Sequence, residues 1–420
     1  LTRWDMAEAA PAALAQARAP WIALPANPPP PRSSRRPRPA PPADPPLPDT
    51  EAASGEIAAV VRHALGTRRA PGPDKAPPPQ SRLWARWNGS RRAERPDGTR
   101  LPLLRTRIGE REMVLAPPGA EPLDRVQSLL HEALALGAAR PFVSDMEDAR
   151  EAAPGVPGSP PEPWIAFNRR AGAVNLVLWP LPGYHALGDW TYAHPRPIDP
   201  VAFEDKRDAV GWRGMLSGVP NPPVTVPGRQ GPVPLMFALG VQQVLASGRA
   251  GAQEEELRAA LTGLPRYRAV ARHAGDLDFD LRLTLHDSVR ALERDPALQG
   301  LCAPRERPDF VFRFRYILCI GGNDAGSNFI LAANSNSVVL REETGWELFY
   351  DPLFRPWEHY VPLAPAAADL RDKLAWARAN PARCRAMVRA AQGACRILAA
   401  PDLRRAMLGG ILDGLGLRAG

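Results

Sequence analysis

Apolar and polar positions fall into a readable order only from about Leu101 onward. Thr106 to Ala116 alternates as a strand does, and Leu123, Val126, Leu130, Ala133 and Leu134 keep helical spacing, with Gly137 as a plausible C-cap. Pro141 to Ser144 is a short apolar run that meets the acidic cluster Asp145-Met146-Glu147-Asp148, and Ile165 to Phe167 and Val174 to Trp179 are further strand candidates. Glu254 to Leu261 patterns as a helix. Phe310 to Ile320 is a strong strand run, followed at once by Gly321-Gly322-Asn323-Asp324-Ala325-Gly326-Ser327-Asn328, a helix through Phe329 to Ala333 and a strand from Ser337 to Leu340. Beyond Pro365 the pattern is helical over Ala366 to Ala379, Pro381 to Leu398 and Asp402 to Leu415. Strands alternating with helices, and polar residues gathered at C-terminal strand ends, predict an α/β fold with ligands at those ends.

The first 90 or so residues do not pattern as a folded domain. Pro28-Pro29-Pro30-Pro31, Arg35-Arg36-Pro37-Arg38 and Pro71 to Pro79 contribute to a total of 51 prolines, and such stretches sustain neither a helix nor a ladder. Glu56 to Leu65 predicts a short helix between them. The expected organisation is a proline-rich, poorly ordered extension over 1–95, an N-terminal domain over 96–200, a C-terminal domain over 201–365 and closing helices over 366–420.

The chain is basic, with 53 Lys and Arg against 45 Asp and Glu for a net charge of +8, but only Lys75, Lys206 and Lys373 are lysines. Arginine in so Ala-, Pro- and Gly-rich a chain reads as compositional drift, so a nucleic-acid partner is not expected. The four cysteines, Cys302, Cys319, Cys384 and Cys395, have no metal-ligand spacing and suit a reducing compartment. No apolar run approaches a membrane span. The cytoplasm is the default location, with peripheral association at the inner membrane face left open.

Three local features carry chemistry. The Gly321–Asn328 loop lets backbone approach a diphosphate, and Asn and Ser side chains add neutral donors, although Gly-Gly after a strand is also an ordinary turn. Its spacing is neither a dinucleotide fingerprint nor a P-loop. Trp212-Arg213-Gly214, and Arg266 in Pro265-Arg266-Tyr267-Arg268, offer guanidinium groups that pair with phosphate or, equally, with a surface carboxylate. Within the acidic cluster, Asp145, Glu147 or Asp148 serves as a general base, a helix cap or a divalent-metal ligand. The absence of GxSxG and HExxH leaves hydrolases without support.

In order, these segments resemble glycosyltransferase family 90, the capsule-associated and protein O-glucosyltransferase-like family. The resemblance lies in Phe314-Arg315-Tyr316-Ile317-Leu318, Gly322-Asn323-Asp324-Ala325-Gly326-Ser327-Asn328, Ser335-Asn336-Ser337-Val338-Val339-Leu340 and Pro356-Trp357-Glu358-His359-Tyr360-Val361-Pro362, with Lys206 and Trp212-Arg213-Gly214 upstream. It implies two Rossmann-like domains facing a cleft (the GT-B arrangement), a UDP-sugar donor and inverting transfer without a metal or other cofactor. It further implies Asp148 as the base, and Arg213, Gly214, Arg266 and Gly322 through Asn328 around the nucleotide sugar. Protein-modifying members carry arginine where this chain has Asn328, which shifts charge compensation to Arg213 and Arg266. The expected activity is sugar transfer to a surface glycan or glycolipid, of the bacterial lipopolysaccharide or capsule type. The alternatives are protein O-glycosylation and nucleotide-sugar binding without turnover.

Overall fold

The computed structural model describes residues 48–68, 84–87, 92–94, 100–102, 104–108, 111–115, 124–146, 148, 160, 162–181, 199–218 and 237–418. Both polyproline stretches and Glu147 lie outside the described residues.

Two larger sheets organise the chain, which is α/β as its pattern implies. The first runs in the order Arg100–Pro102, Arg92–Glu94, Trp84–Trp87, Phe142–Asp145, Trp164–Ala166 and Leu176–Leu178. Its last three strands are parallel and the rest antiparallel. The second has the order Phe279–Thr284, Arg207–Met215, Phe314–Cys319, Val338–Glu342 and Val361–Leu363, parallel throughout. Parallel strands need cover on both faces. Tyr316 and Leu318 pack into one apolar cluster with helices Glu254–Thr262 and Pro265–Arg272, while Ile317 and Cys319 point into the cluster on the opposite face. A two-stranded pairing of Asn168–Arg170 with Trp346–Leu348 ties the first sheet's segment to the second's, reinforced by an Arg169–Glu347 ion pair at 2.6 Å.

Most predicted elements appear with small shifts. The helix expected over residues 123–134 is Asp124–Ala135, closed by Gly137 at φ +90°. The alternation at Thr106–Ala116 is a hairpin of two strands, Leu104–Ile108 and Arg111–Leu115, separated in sequence by Gly109-Glu110. The strand of the Phe310–Ile320 run begins only at Phe314. Pro308–Arg313 forms a 3₁₀ turn in which Phe310, Val311 and Phe312 are still buried, so apolarity there signals burial and not extension. The first closing helix starts at Leu370, after a turn with Ala366 and Ala367 at positive φ.

The expectation of a loose extension to residue 95 fails for two segments. Trp84–Trp87 is a central strand of the first sheet. Helix Ser54–Leu65 buries Val60 and Ala64 completely, and Ile57, Val61 and Leu65 pack on the same core as the closing helix Pro401–Gly414. The two helices approach closely because Gly414 lacks a side chain: a Cβ there would sit 2.5 Å from Leu65 Cδ1. The helix matches the one expected over Glu56 to Leu65; its packing partner, at the far end of the chain, leaves no local trace in the sequence.

Candidate active site

The strand ends of both sheets meet at a cleft of about 330 Å³. From the first half come Arg125, Asp148, Phe167 and Leu181, and from the second the strand end Trp212–Ser217, Arg266 and the loop from Gly322.

Asp148 follows the end of the Phe142–Asp145 strand, and its side chain is 30% exposed. Arg125 donates from Nη1 to Asp148 Oδ1 at 2.6 Å and to Met146 O at 3.1 Å. Among the described residues the second carboxylate oxygen, Oδ2, has no partner and is left to an incoming donor. Asp145, the other described member of the acidic cluster, is only 1% exposed and does not line the cleft. Sequence reasoning missed Arg125. Its signal is its place in the first turn of the helix that precedes the Asp148 strand.

Across the cleft, Arg266 is fixed from four directions. Nε donates to Gly321 O at 2.9 Å, Nη1 to Met215 O at 3.0 Å and Ser217 Oγ at 2.7 Å, and Nη2 to Ile320 O at 3.3 Å. A guanidinium has five N–H donors, so one remains. No carboxylate pairs with Arg266 among the described residues, and its guanidinium carbon lies 5.6 Å from the Trp212 ring centroid. Burial lowers its pKa from the ordinary value, with Asp324 and Glu342 opposing the shift; the group stays cationic. This is a preorganised positive charge with no carboxylate in direct contact among the described residues.

Arg213 is placed differently. Its Nη2 meets Asp280 Oδ1 at 2.7 Å, Nη1 donates to Asp280 O at 2.8 Å, and the guanidinium sits 4.7 Å from the Phe310 ring centroid. Asp280 therefore neutralises it at the margin of the cleft. Lys206, which shares the same sequence resemblance, is a buried structural group. Its ammonium meets Asp199 Oδ2 at 2.6 Å and donates to Phe312 O.

The glycine–asparagine loop lies against Arg266. A Cβ on Gly322 would come within 2.6 Å of Ser217 Oγ and 2.8 Å of Arg266 Cζ, so only glycine permits this approach. Glu342, buried at the end of its strand, anchors the loop by accepting from Gly321 N at 2.8 Å and from Ala366 N at 2.6 Å. Burial raises the Glu342 pKa, against these two bonds and the charge of Arg266. Asn323 Oδ1 accepts from Gly218 N at 3.2 Å, and Asp324 Oδ2 accepts from Asn168 Nδ2 at 2.5 Å. Gly322, Asn323, Asp324, Ala325, Ser327 and Asn328 all line the cleft, as does Gly214; Gly326 does not. Asn328 Nδ2 donates to Leu318 O at 2.9 Å, so this amide closes the loop onto its strand. The helix Phe329–Ala333 has only five residues, and Phe329 N already donates to Gly326 O at 3.3 Å. It therefore offers less to an anion than the sequence suggests.

The arrangement sets a carboxylate oxygen on one side of a cleft and the Arg266 guanidinium with glycine backbone on the other. Such a site accepts a proton at one end and stabilises developing anionic charge at the other.

Residues 306–397 match the model of glycosyl transferase family 90. Protein O-glucosyltransferase 3 of Rattus norvegicus is 26% identical over 250 residues, covering 54% of this chain and 45% of that protein. The Homo sapiens protein of the same name is 26% identical over 245 residues, with 54% and 45% covered. Uncharacterized protein 035R of Invertebrate iridescent virus 3 is 31% identical over 143 residues, 32% of this chain and 12% of that one. The chain spans less than half the length of these relatives. The matches support glycosyltransferase family 90 for this chain, and the matched segment carries the loop that forms one wall of the cleft.

Proposed function

We propose that the protein transfers a sugar from a UDP-sugar to an acceptor hydroxyl with inversion, between two Rossmann-like halves in the GT-B arrangement. The observation that carries this reading is that Asp148, just past a strand of the first sheet, and Arg266, on a helix packed against the second sheet, line one cleft. Asp148 Oδ2 accepts the proton of the attacking hydroxyl, while Arg125 holds Oδ1 and sets the carboxylate's direction. On the far side, Arg266 and the amides of the Gly322–Asn328 loop meet the charge that builds on the departing diphosphate. Arg213, paired with Asp280, supports the strand end behind them. No metal has a role in this scheme.

The proposed acceptor is a surface glycan or glycolipid of the lipopolysaccharide or capsule kind, reached at the inner face of a membrane. Among the described residues no helix is long and apolar enough to cross one. The similarity to proteins named protein O-glucosyltransferase 3 favours a second reading, transfer to a protein hydroxyl. A screen of UDP-sugars scored by UDP release, with glycan and protein acceptors in parallel, tests both. Binding of UDP-sugars without acceptor-stimulated UDP release would reduce the protein to a nucleotide-sugar binder.

A further inference from the structure

We propose that Gln242 reads the nucleobase of the donor by accepting a hydrogen bond from an N–H on a uracil ring edge; this rests on the uridine-diphosphate reading above.

Gln242 lies on helix Phe237–Ala246, is only 3% exposed and lines the cleft. Its Nε2 donates to Leu216 O at 3.0 Å and to Ala238 O at 2.8 Å, which uses both amide hydrogens. The amide cannot be turned over, because that would set Oε1 against two carbonyl oxygens. Oε1 has no hydrogen-bond partner among the described residues. With the nitrogen directed at the strand end and the helix, this oxygen is the polar atom left to the cleft. The residue is buried but this oxygen is open to the cleft, and a fixed acceptor at the wall of a cleft favours a ligand that brings a donor.

The position relates this acceptor to the anion end of the site. Arg266 grips Met215 O and Ser217 Oγ, and Gln242 grips Leu216 O between them. A ligand with its diphosphate on Arg266 therefore has Gln242 on the same strand end and in the same cleft. A phosphate has only acceptors and is repelled by Oε1. Leu216, Ala238 and Leu239 make the neighbouring wall apolar, which suits the flat face of a base better than the adjacent hydroxyls of a ribose. The uracil N3–H supplies a single donor on such a face.

The test is a binding cycle on the full chain. UDP, N3-methyl-UDP, 2′-deoxy-UDP and inorganic diphosphate are titrated against the wild type and Gln242→Met. Wild type should bind N3-methyl-UDP about tenfold or more weakly than UDP. In Gln242→Met, UDP should weaken by a similar factor and N3-methylation should cost little more, with diphosphate affinity unchanged in both proteins. If UDP binds but N3-methylation costs nothing in the wild type, or costs the same in both proteins, the proposal fails alone. It also fails if the coupling follows the 2′-hydroxyl. If wild type binds diphosphate and no uridine nucleotide more tightly, the donor reading fails with it. Where Gln242→Met does not fold, Gln242→Leu, which also lacks the amide oxygen, takes its place in the cycle.

Discussion

Replacing Arg266 with methionine removes the cation of the cleft that has no ion-pair partner among the described residues, while keeping the length of its aliphatic stem. Two effects should separate. The first is structural: Gly321 O and Ile320 O lose donors at 2.9 and 3.3 Å, and Met215 O and Ser217 Oγ lose theirs on the open side, where water can take over. At roughly 1 kcal/mol for each of the two enclosed carbonyls, stability should fall by about 2 kcal/mol, which leaves a marginally stable fold intact. The second concerns the ligand. One charge-assisted hydrogen bond to phosphate contributes about 1.5–3 kcal/mol, so affinity for UDP should drop roughly 10- to 150-fold. Calorimetric titration with UDP, inorganic diphosphate and uridine distinguishes the two. UDP and diphosphate should weaken together while uridine is untouched, and Arg266→Lys should recover part of the loss, since an ammonium keeps the charge but not the fork. Equal weakening of uridine would mean that the variant merely collapses the loop. Unchanged UDP affinity would refute the assignment of this arginine to the diphosphate.

Asp148→Asn should lower turnover by roughly 10²–10⁴-fold with UDP affinity near wild type; normal turnover there, with Asp145→Asn inactive, would move the base to Asp145. Turnover should persist in EDTA because Arg266 and backbone amides carry the leaving-group charge, and loss with rescue by manganese would overturn that. Deleting residues 1–66 removes Val60 and Ala64 from the core along with the packing of Ile57, Val61 and Leu65, about 5 kcal/mol or more of burial; a cooperative melt at the full-length temperature would contradict the packing described. Burial lowers the pKa values of His63, His273 and His359. The unfolded chain therefore binds protons more readily below about pH 6.5. Stability should be full above that value and decline as pH falls through the lowered folded values, and His273→Phe should flatten the decline in thermal melts between pH 8 and 5.

The site's two walls differed in how openly the chain displays them. The Gly321–Asn328 loop follows a strand that is buried on both faces, so Tyr316, Ile317, Leu318, Cys319 and Ile320 form a continuous apolar run that cannot be missed. The Arg207–Met215 strand, central to the same sheet, is hidden by its residue types. Gly211 and Gly214 weaken any strand pattern, yet they are required by the rings of Phe314 and Trp212, which occupy the space a Cβ would take. Arginines 213 and 266 look alike in sequence, and only the fold reveals that Asp280 neutralises the first. Pairing with a residue 67 positions away leaves no local trace. Glu342 and Gln242 share this invisibility: one is a strand-end acid and the other a helical amide, and each acquires its role from a backbone atom brought near by the fold.

The packing of Ser54–Leu65 on Pro401–Gly414 has a kinetic consequence. The helix is among the first described elements to leave the ribosome, but much of the cover for its apolar stripe comes from the last helix of the core. His63 Nε2, on the same helix, reaches Leu348 O at 3.0 Å across 285 positions of sequence. Contacts of such separation pay their loop-closure entropy before any gain arrives, which slows folding. Closure of this helix onto Pro401–Gly414 therefore waits until nearly the whole chain has been made.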